Sequence, residues 1–425
     1  MAADEAVAIE NRVAPRLVGG ANQTGVRLYN ERLVLSLMRR HRQLSKIEVA
    51  RQTGLSVQTA SAILNHLHAD GLLRRETPLR GKVGQPTVPF SLDPEGAFAL
   101  GYKIGRRSCD LVLVDFAGAI RDRAHETCAY PQPGPTLEFV ARALPRLIDR
   151  LSASQRARLV GLGVATPFYL WNWGEEIGAP AGAIAGWRNI DIKSEIAKLC
   201  PVPTILCNDA SSACAAELFF GEGWRHHDFV YFFIGAFIGG GVVINDALYL
   251  GRTGAAGALG SIPIMRLDEN NRLVARQLIH FASLYQLERR VREAGLDPSS
   301  IWRTPGAWDD FGGALGDWIE ETARALALAC LSALSVIDFE AVVIDGAIPV
   351  AIRAQLVARV AEIYETLDRR GLVDPTIRAG SIGADARALG GAALPLIANF
   401  ARDREVLFKE PPTGSASTFL PHPGR

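Results

Sequence analysis

The 425-residue chain has only six cysteines, and no two of them form a C-x-x-C pair. The sequence therefore offers neither a disulfide framework nor a Cys-rich zinc motif, and we expect no secretory leader. Scattered thiols of this kind are typical of a reduced, cytoplasmic protein. The cysteines are Cys109, Cys128, Cys200, Cys207, Cys214 and Cys330.

Long apolar runs are also missing. The most hydrophobic segment, residues 229–244, is shorter than a bilayer span and is interrupted by glycines, as in buried strands joined by a Gly-rich loop. The sequence therefore predicts no transmembrane segment and no membrane partner. With 48% hydrophobic residues, the chain can instead bury the cores of two or three soluble domains.

The chain has almost no net charge, but its charges are unevenly distributed. Residues 25–90 carry eleven Lys and Arg against four Asp and Glu, a net charge of +7. Since the whole chain carries +1, the remainder carries −6. A compact basic domain beside an acidic body is typical of nucleic-acid binding, although a basic surface alone is more often a solvated face.

Residues 25–92 carry the signals of three short helices. Ser45 and Glu48 form an S-x-x-E capping box that opens the second helix, and apolar residues at helical spacing precede it. The third helix follows after Gly54, with Ser56 as its N-cap. Two short helices joined through a glycine turn are typical of a helix-turn-helix, but a hairpin with only a packing role gives the same local pattern.

The next segment favours the DNA-binding alternative. Strand-like residues at 74–78 and 88–92 enclose the loop LRGKVGQP at 79–86, which is basic and rich in glycine. A winged helix-turn-helix places its third helix in the major groove and such a loop against phosphates or the minor groove. The predicted DNA-contacting residues are Ser56, Gln58, Thr59 and Ser61 on the helix, with Arg80 and Lys82 in the wing.

A second candidate site lies at Asn208 and Asp209. An apolar run stops at this pair, and small residues then open an amphipathic helix. The carboxyl end of a strand in an α/β sheet is where ligands bind, so Asp209 is expected to face a cleft. Alternatively, the pair simply caps the helix, since Asn and Asp are favoured N-caps.

The preceding segment, GWRNIDIKSEIAKLCPVP at 186–203, adds a Trp, a polar link, a helix and Pro-Val-Pro before the strand. With it, the chain resembles the ROK family of sugar kinases and sugar-responsive repressors. In that family the Asp of the Asn-Asp pair takes a proton from a sugar hydroxyl, a role that the resemblance places on Asp209. The winged segment resembles the DNA-binding domain of the repressors, including GLSxxT at 54–59.

The resemblance implies an N-terminal winged helix-turn-helix plus an α/β, actin-like (ribonuclease H-like) domain of two lobes. The expected division is a flexible arm at 1–24, the winged helix-turn-helix at 25–92, a first lobe at 97–221 completed by the last helix at 388–400, a second lobe at 222–387, and a tail at 401–425.

Several positions depart from the family's kinases on the nucleotide side. Lys103 stands where the first strand carries an Asp, and Arg106 lies in a turn that normally lets phosphate approach the backbone. Phe237 interrupts the second phosphate loop, and Asp345 stands in the adenosine loop. These departures predict a protein that is not an enzyme and needs no cofactor.

The sugar side has also changed. Ala258 and Ser261 replace a Glu and a His that bind sugar hydroxyls in relatives, and Ile279 replaces an acid. The zinc loop of the family has no counterpart, because residues 265–277 contain neither Cys nor His, and no metal is expected. The predicted effector-binding residues are Asn208, Asp209 and Ser261.

The sequence leaves three functions open. The first is a transcriptional regulator that binds operator DNA as a homodimer and senses a small-molecule effector, a sugar or sugar derivative. The second is an active sugar kinase with an attached DNA-binding domain. In the third, the two-lobed body has lost its effector and serves only as a dimerisation scaffold.

Overall fold

The computed structural model describes residues 23–78, 88–303 and 308–403, together with Leu407. Its α-helices are α1 (Gln23–Arg40), α2 (Lys46–Thr53), α3 (Val57–Ala69), α4 (Pro133–Asp149), α5 (Ala153–Arg156), α6 (Ile192–Ala197), α7 (Asp209–Phe219), α8 (Leu284–Glu293), α9 (Ser300–Arg303), α10 (Gly312–Leu334), α11 (Val350–Glu365) and α12 (Ala386–Phe400). Among these helices, none has the length and apolar character that a bilayer crossing requires.

The strands fall into four sheets. They are β1 (Leu73–Arg75), β2 (Phe90–Leu92), β3 (Phe98–Ile104), β4 (Ser108–Asp115), β5 (Ile120–Thr127), β6 (Leu159–Thr166), β7 (Thr204–Asn208), β8 (Phe229–Ile234), β9 (Ile238–Ile244), β10 (Ala247–Tyr249), β11 (Pro263–Leu267), β12 (Leu273–Gln277), β13 (Ala341–Gly346) and β14 (Thr376–Ala379). Two of the sheets are two-stranded hairpins, and the other two have five strands each.

The N-terminal unit consists of α1, α2, α3 and the β1–β2 hairpin. The predicted capping box is present at α2, where the Glu48 carboxylate accepts from the Ser45 amide at 2.8 Å. Gly54 ends α2 with φ 72°, a left-handed conformation that favours glycine, and so redirects the chain into α3. The buried core of this unit includes Val34, Leu35, Val49, Ala60, Leu64 and Leu67.

The two large sheets share one topology. In the first, the order is β5-β4-β3-β6-β7, with an antiparallel meander on one side of β3 and parallel strands on the other. In the second, the order is β10-β9-β8-β13-β14, with the same alternation around β8. Strands β3 and β8 are buried along their whole length, as their continuous apolar sequences require. This duplicated arrangement is the two-lobed α/β fold that the resemblance implied.

Strand β9 is longer than the sequence predicts. The expected glycine loop at 235–241 ends early, because the strand begins at Ile238 and includes three of those glycines. They are needed there for packing against α7: a Cβ at Gly241 would lie 2.4 Å from Cys214 Cβ, and one at Gly239 would lie 2.7 Å from Ala210 Cβ. The glycines therefore serve helix packing and not only a turn.

The segment after β10 also differs from the expectation. The helix predicted over 278–294 begins only at Leu284, because the Ser283 hydroxyl donates to the Ile279 carbonyl at 2.6 Å and accepts from the Ile238 amide. The residues that replace the family's zinc loop form the β11–β12 hairpin. Among the described residues, no group of three or more His, Cys, Asp or Glu could hold a metal ion.

Helix α12 lies between the first sheet and α7 at very short range. A Cβ at Gly163 of β6 would lie 1.9 Å from the Gly391 carbonyl oxygen, and one at Gly101 of β3 would lie 2.1 Å from the Ala388 oxygen. On the other side, a Cβ at Gly390 would lie 1.7 Å from the Ser212 oxygen of α7. Backbone thus packs directly on backbone along this helix, which we call the glycine seam.

The C-terminal end of α12 also supports the N-terminal unit. Arg32 of α1 donates to the Ala398 carbonyl at 3.1 Å, and the Arg402 amide donates to the Ser36 hydroxyl at 3.2 Å. Arg39 lies with its Cζ 3.8 Å from the centre of the Phe219 ring. Burial lowers the pKa of Arg39 to about 9, although nearby Asp115 opposes this effect. The two units are therefore joined by buried cations as well as by the chain.

Candidate DNA-contacting surface and effector site

The start of α3 carries the predicted DNA-contacting residues. Ser56 caps the helix, because its hydroxyl accepts from the Thr59 amide at 3.0 Å and lies 2.8 Å from the Thr59 hydroxyl. Gln58 is exposed and Ser61 is half-buried. The capping contacts occupy the first two hydroxyls, which leaves Gln58 as the side chain best placed to reach a base edge.

Two predicted contacts cannot be placed. Arg80 and Lys82 belong to the wing loop, which lies outside the described residues. Sequence reasoning passed over Asn65, which is exposed on α3 and accepts a hydrogen bond from Arg75 of β1 at 3.1 Å. The signal was available, because Asn65 follows Gln58 by two helical turns and so shares its face.

Asn208 takes the capping role that the sequence left as an alternative. Its side-chain oxygen accepts from the amides of Ala210 and Ser211, at 3.0 and 3.3 Å. Its own carbonyl accepts from the Ser212 hydroxyl at 2.9 Å. Asn208 therefore fixes the junction of β7 and α7, where Asp209 is the first residue of the helix.

Asp209 is 8% exposed and already has a cationic neighbour. Its Oδ2 lies 3.3 Å from Nη1 of Arg387, at the first turn of α12. Its Oδ1 has no hydrogen-bond partner among the residues that the structure describes. The Arg387 guanidinium also lies 5.0 Å from the centre of the Phe233 ring. The carboxylate is thus neutralised on one side and open to a donor on the other.

The β3–β4 turn contributes a second buried cation. Arg106 is 8% exposed, and its Cζ lies 4.1 Å from the centre of the Phe237 ring. Burial lowers the pKa of Arg106 to about 10, and the attraction of Asp209 only partly offsets this. Arg106 and Asp209 therefore belong to one electrostatic cluster, although they come from different elements of the fold.

Lys103 and Phe237, which the sequence analysis singled out, make contacts within the protein. Lys103 donates to Ser108 and Asp110, at 2.6 and 2.7 Å, and its Cε lies where a Cβ at Gly105 would be only 2.5 Å away. The side chain therefore covers the turn that normally receives phosphate. Phe237, in the second loop, packs edge-on against Tyr285 with ring centres 4.9 Å apart.

Ser261 is exposed in a short turn beside β9. This turn touches the start of the strand, because a Cβ at Gly260 would lie 2.4 Å from the Ile238 oxygen. Ala210, next to Asp209, approaches the same strand end at Gly239. The structure thus places Ser261 and Asp209 around one strand end, although they are 52 positions apart in the sequence.

A cavity of about 430 Å³ lies beside Phe237, because Tyr285 is one of its lining residues, whereas Asn208, Asp209 and Ser261 do not line it. His280 and Tyr285 line it and are hydrogen-bonded to each other at 2.9 Å. Burial and the nearby charge of Arg276 lower the pKa of His280, with Glu176 acting in the opposite direction. No motif in the sequence predicts this cavity, since its walls come from separate segments. Its lining includes Glu176, Arg266, Arg276, His280, Phe281 and Tyr285.

Comparison with known proteins gives consistent matches. The sequence profile of the ROK family matches residues 99–397, and that of the MarR family matches residues 29–82. A xylose repressor of Bacillus spizizenii is 27% identical over 244 residues, which is 57% of this chain and 62% of that protein. The match thus spans less than two thirds of this curated relative.

Among solved structures, a ROK family transcriptional regulator, a homolog of the E. coli MLC protein, superimposes with a TM-score of 0.59 at 18% identity, covering 90% of this chain and 97% of that one. A ROK family glucokinase from Streptomyces griseus, in complex with glucose and AMPPNP, superimposes with a TM-score of 0.54 at 18% identity. The superposition covers 70% of this chain and 99% of the glucokinase. At these identities the likeness establishes a common fold.

Proposed function

Because the chain belongs to the ROK family, we propose that it is a cytoplasmic transcriptional regulator that binds operator DNA and represses genes for sugar use. The observation that carries this proposal is the union of a MarR-like winged unit, with Gln58 exposed on α3, and a two-lobed body on one chain. The similarity to a xylose repressor supports a sugar or sugar derivative as the effector.

We propose that the protein acts as a homodimer. One winged helix contacts only a half-site, and a protein with two-fold symmetry requires an operator with the same symmetry. Arg80 and Lys82 are proposed to contact phosphates, so that the affinity for DNA falls steeply as salt increases.

Replacing Gln58 tests the DNA-contacting surface. We expect Gln58→Ala to reduce discrimination at one operator base pair by about 1–3 kcal/mol, because a glutamine amide pairs with adenine through two hydrogen bonds. The measurement is fluorescence anisotropy on an operator selected from random duplexes by the wild-type protein, with each base pair substituted in turn. Gln277→Ala is the matched control, since Gln277 is an exposed glutamine on β12.

The control is expected to keep the base preferences of the wild type. If Gln58→Ala instead lowered the affinity equally for every operator variant, Gln58 would contact the DNA backbone and not a base. No loss at all would contradict the assignment of α3 as the recognition helix.

The effector is proposed to act through α12. Arg387 at the start of this helix holds Asp209, whereas Ala398 near its end accepts from Arg32 of α1. A ligand that forms a hydrogen bond with Asp209 either weakens or strengthens the ion pair between Asp209 and Arg387. The position of α12 therefore depends on whether the ligand is bound. Since coupling between sites is reciprocal, the ligand must change DNA affinity by the same factor as DNA changes ligand affinity.

The alternative of an active kinase is weaker on geometric grounds. In such an enzyme Asp209 would accept a proton from a sugar hydroxyl, but here Arg387 already occupies one of its carboxylate oxygens. Lys103 covers the first phosphate turn. We therefore expect no phosphate transfer from ATP to hexoses, measured by a coupled ADP assay. Turnover that Asp209→Asn abolishes would overturn this expectation, whereas turnover that persists in Asp209→Asn indicates a contaminating enzyme.

A further inference from the structure

Arg106 is the one strongly buried cation near Asp209 that has no hydrogen bond within the described part of the chain. Its Nε is fully buried and has no hydrogen-bond partner, and only 8% of the residue is exposed to solvent. Leaving a buried N–H donor of a guanidinium unsatisfied in a protein interior is costly. The side chain lies over the face of Phe237.

The neighbouring charges are already paired with each other. Lys103 is bound to Asp110, which also contacts His125, and Arg387 is bound to Asp209. Asp209 and Glu176 attract Arg106 at longer range, while Arg387 repels it. Among the described residues, the cluster therefore retains a cation with no contacting anion, within electrostatic range of Asp209.

We infer that Arg106 binds the oxyanion of the effector, so that the ligand is a sugar or polyol carrying a carboxylate or a phosphate. This inference rests on the proposed effector site at Asp209 and names the chemical class of its ligand. The two open groups are complementary to such a molecule: Asp209 Oδ1 accepts from a hydroxyl, while Arg106 donates to the oxyanion.

The arrangement favours an anion for two physical reasons. A guanidinium pairs with carboxylate or phosphate through two parallel hydrogen bonds, which are about twice as strong as bonds between neutral groups. Phe237 holds the Arg106 side chain in place before the ligand arrives, so little conformational entropy is lost on binding. The exposed 8% of Arg106 is the face through which the oxyanion approaches.

The test compares ligands with one carbon skeleton. The melting temperature of the full-length protein is measured with D-glucose, D-glucuronate, D-gluconate, D-glucose 6-phosphate and inorganic phosphate, and affinities follow by calorimetry. We expect at least one acidic sugar to bind about tenfold or more tighter than glucose, as a charge-assisted bidentate pair requires. Carboxylates and phosphates are separated by which members of the series respond.

The variant Arg106→Gln should bind acidic and neutral sugars with similar affinity. It should melt no lower than the wild type without ligand, because it removes an unpaired buried charge. Arg107→Gln is the matched control from the same turn. Arg107 is paired with Glu288 at 3.3 Å and lies near Trp302, so this variant should melt lower but keep the preference for acids.

The outcomes separate this inference from the proposed function. Suppose that glucose and the acidic sugars bind with equal affinity, and that Asp209→Ala abolishes this binding. The effector site at Asp209 would then stand, but the anion inference would be overturned. An acid preference that persists in Arg106→Gln would overturn it too. A protein that binds its operator but responds to no member of the series would contradict both the effector site and the inference, leaving the DNA-binding proposal intact.

Discussion

Asp345→Ala is expected to lower the free energy of unfolding by about 3–5 kcal/mol, the cost of leaving one partner of a buried ion pair uncompensated. Asp345 is completely buried at the end of β13 and forms an ion pair with Arg353 of α11. It also accepts from the Tyr231 hydroxyl and the Gly383 amide, both at 3.0 Å. Without the carboxylate, a largely buried guanidinium loses its partner and three further donors, including the Gly346 amide, are left unsatisfied.

The measurement is equilibrium unfolding in urea, followed by circular dichroism. Asp368→Ala is the control: Asp368 also pairs with an arginine, Arg370, but both side chains are exposed, so its loss should hardly change the urea concentration at which the protein unfolds. If the two variants unfolded at the same urea concentration, Asp345 would not be the hub of the second lobe that its contacts indicate.

Gly390→Ala is expected to destabilise the protein by about 1–3 kcal/mol or more, as overpacking of a tight interface does. The sign is informative, because replacing glycine by alanine inside a helix normally stabilises it by about 0.5–1 kcal/mol. At this position the new Cβ would lie 1.7 Å from the Ser212 oxygen, which is backbone and cannot move aside alone. Helix α12 and α7 would have to separate.

Gly316→Ala is the control, because the same substitution should stabilise the protein at this position. Gly316 lies within α10, and a Cβ there would meet nothing within 4 Å. We therefore expect this variant to unfold at a higher urea concentration than the wild type. If Gly390→Ala were also stabilising, the close approach at the glycine seam would be wrong, and with it the proposal that α12 transmits the state of the effector site.

Local sequence signals were sufficient for the N-terminal unit. The capping box of Ser45 and Glu48, the Ser56 cap and the buried face of α3 depend on residues only a few positions apart. Such features follow from backbone hydrogen bonding and helical spacing, which a sequence displays directly. The resemblance to a family then supplied the two-lobed fold, which no local pattern specifies.

The surroundings of Asp209 could not be predicted in the same way. The sequence placed this residue at the end of a strand, but its partner Arg387 lies 178 positions away and contacts it only after α12 packs on α7. Asp345 shows the same limit: the sequence marked it as a departure from a nucleotide loop, whereas the structure makes it the centre of a buried polar network. Long-range pairing of this kind depends on tertiary packing.

The glycine loop at 235–241 was misjudged for a related reason. Glycine predicts a turn in most contexts, but in β9 it permits a helix to lie directly on a strand. The sequence shows the missing side chains and not the helix that takes their place. The unexpected cavity beside Tyr285 has the same origin, because its walls assemble from segments that no motif connects.

The support that α12 gives to α1 has a consequence for how the protein is made. Arg32 and its acceptor Ala398 are 366 positions apart, so the first helix of the structure rests on one that is synthesised much later. At roughly 5–20 residues per second, the ribosome needs about 20–70 s to add the intervening chain. During this time the winged unit has its own core but no fixed orientation. A chain released before α12 would carry a DNA-contacting unit that no sensor controls.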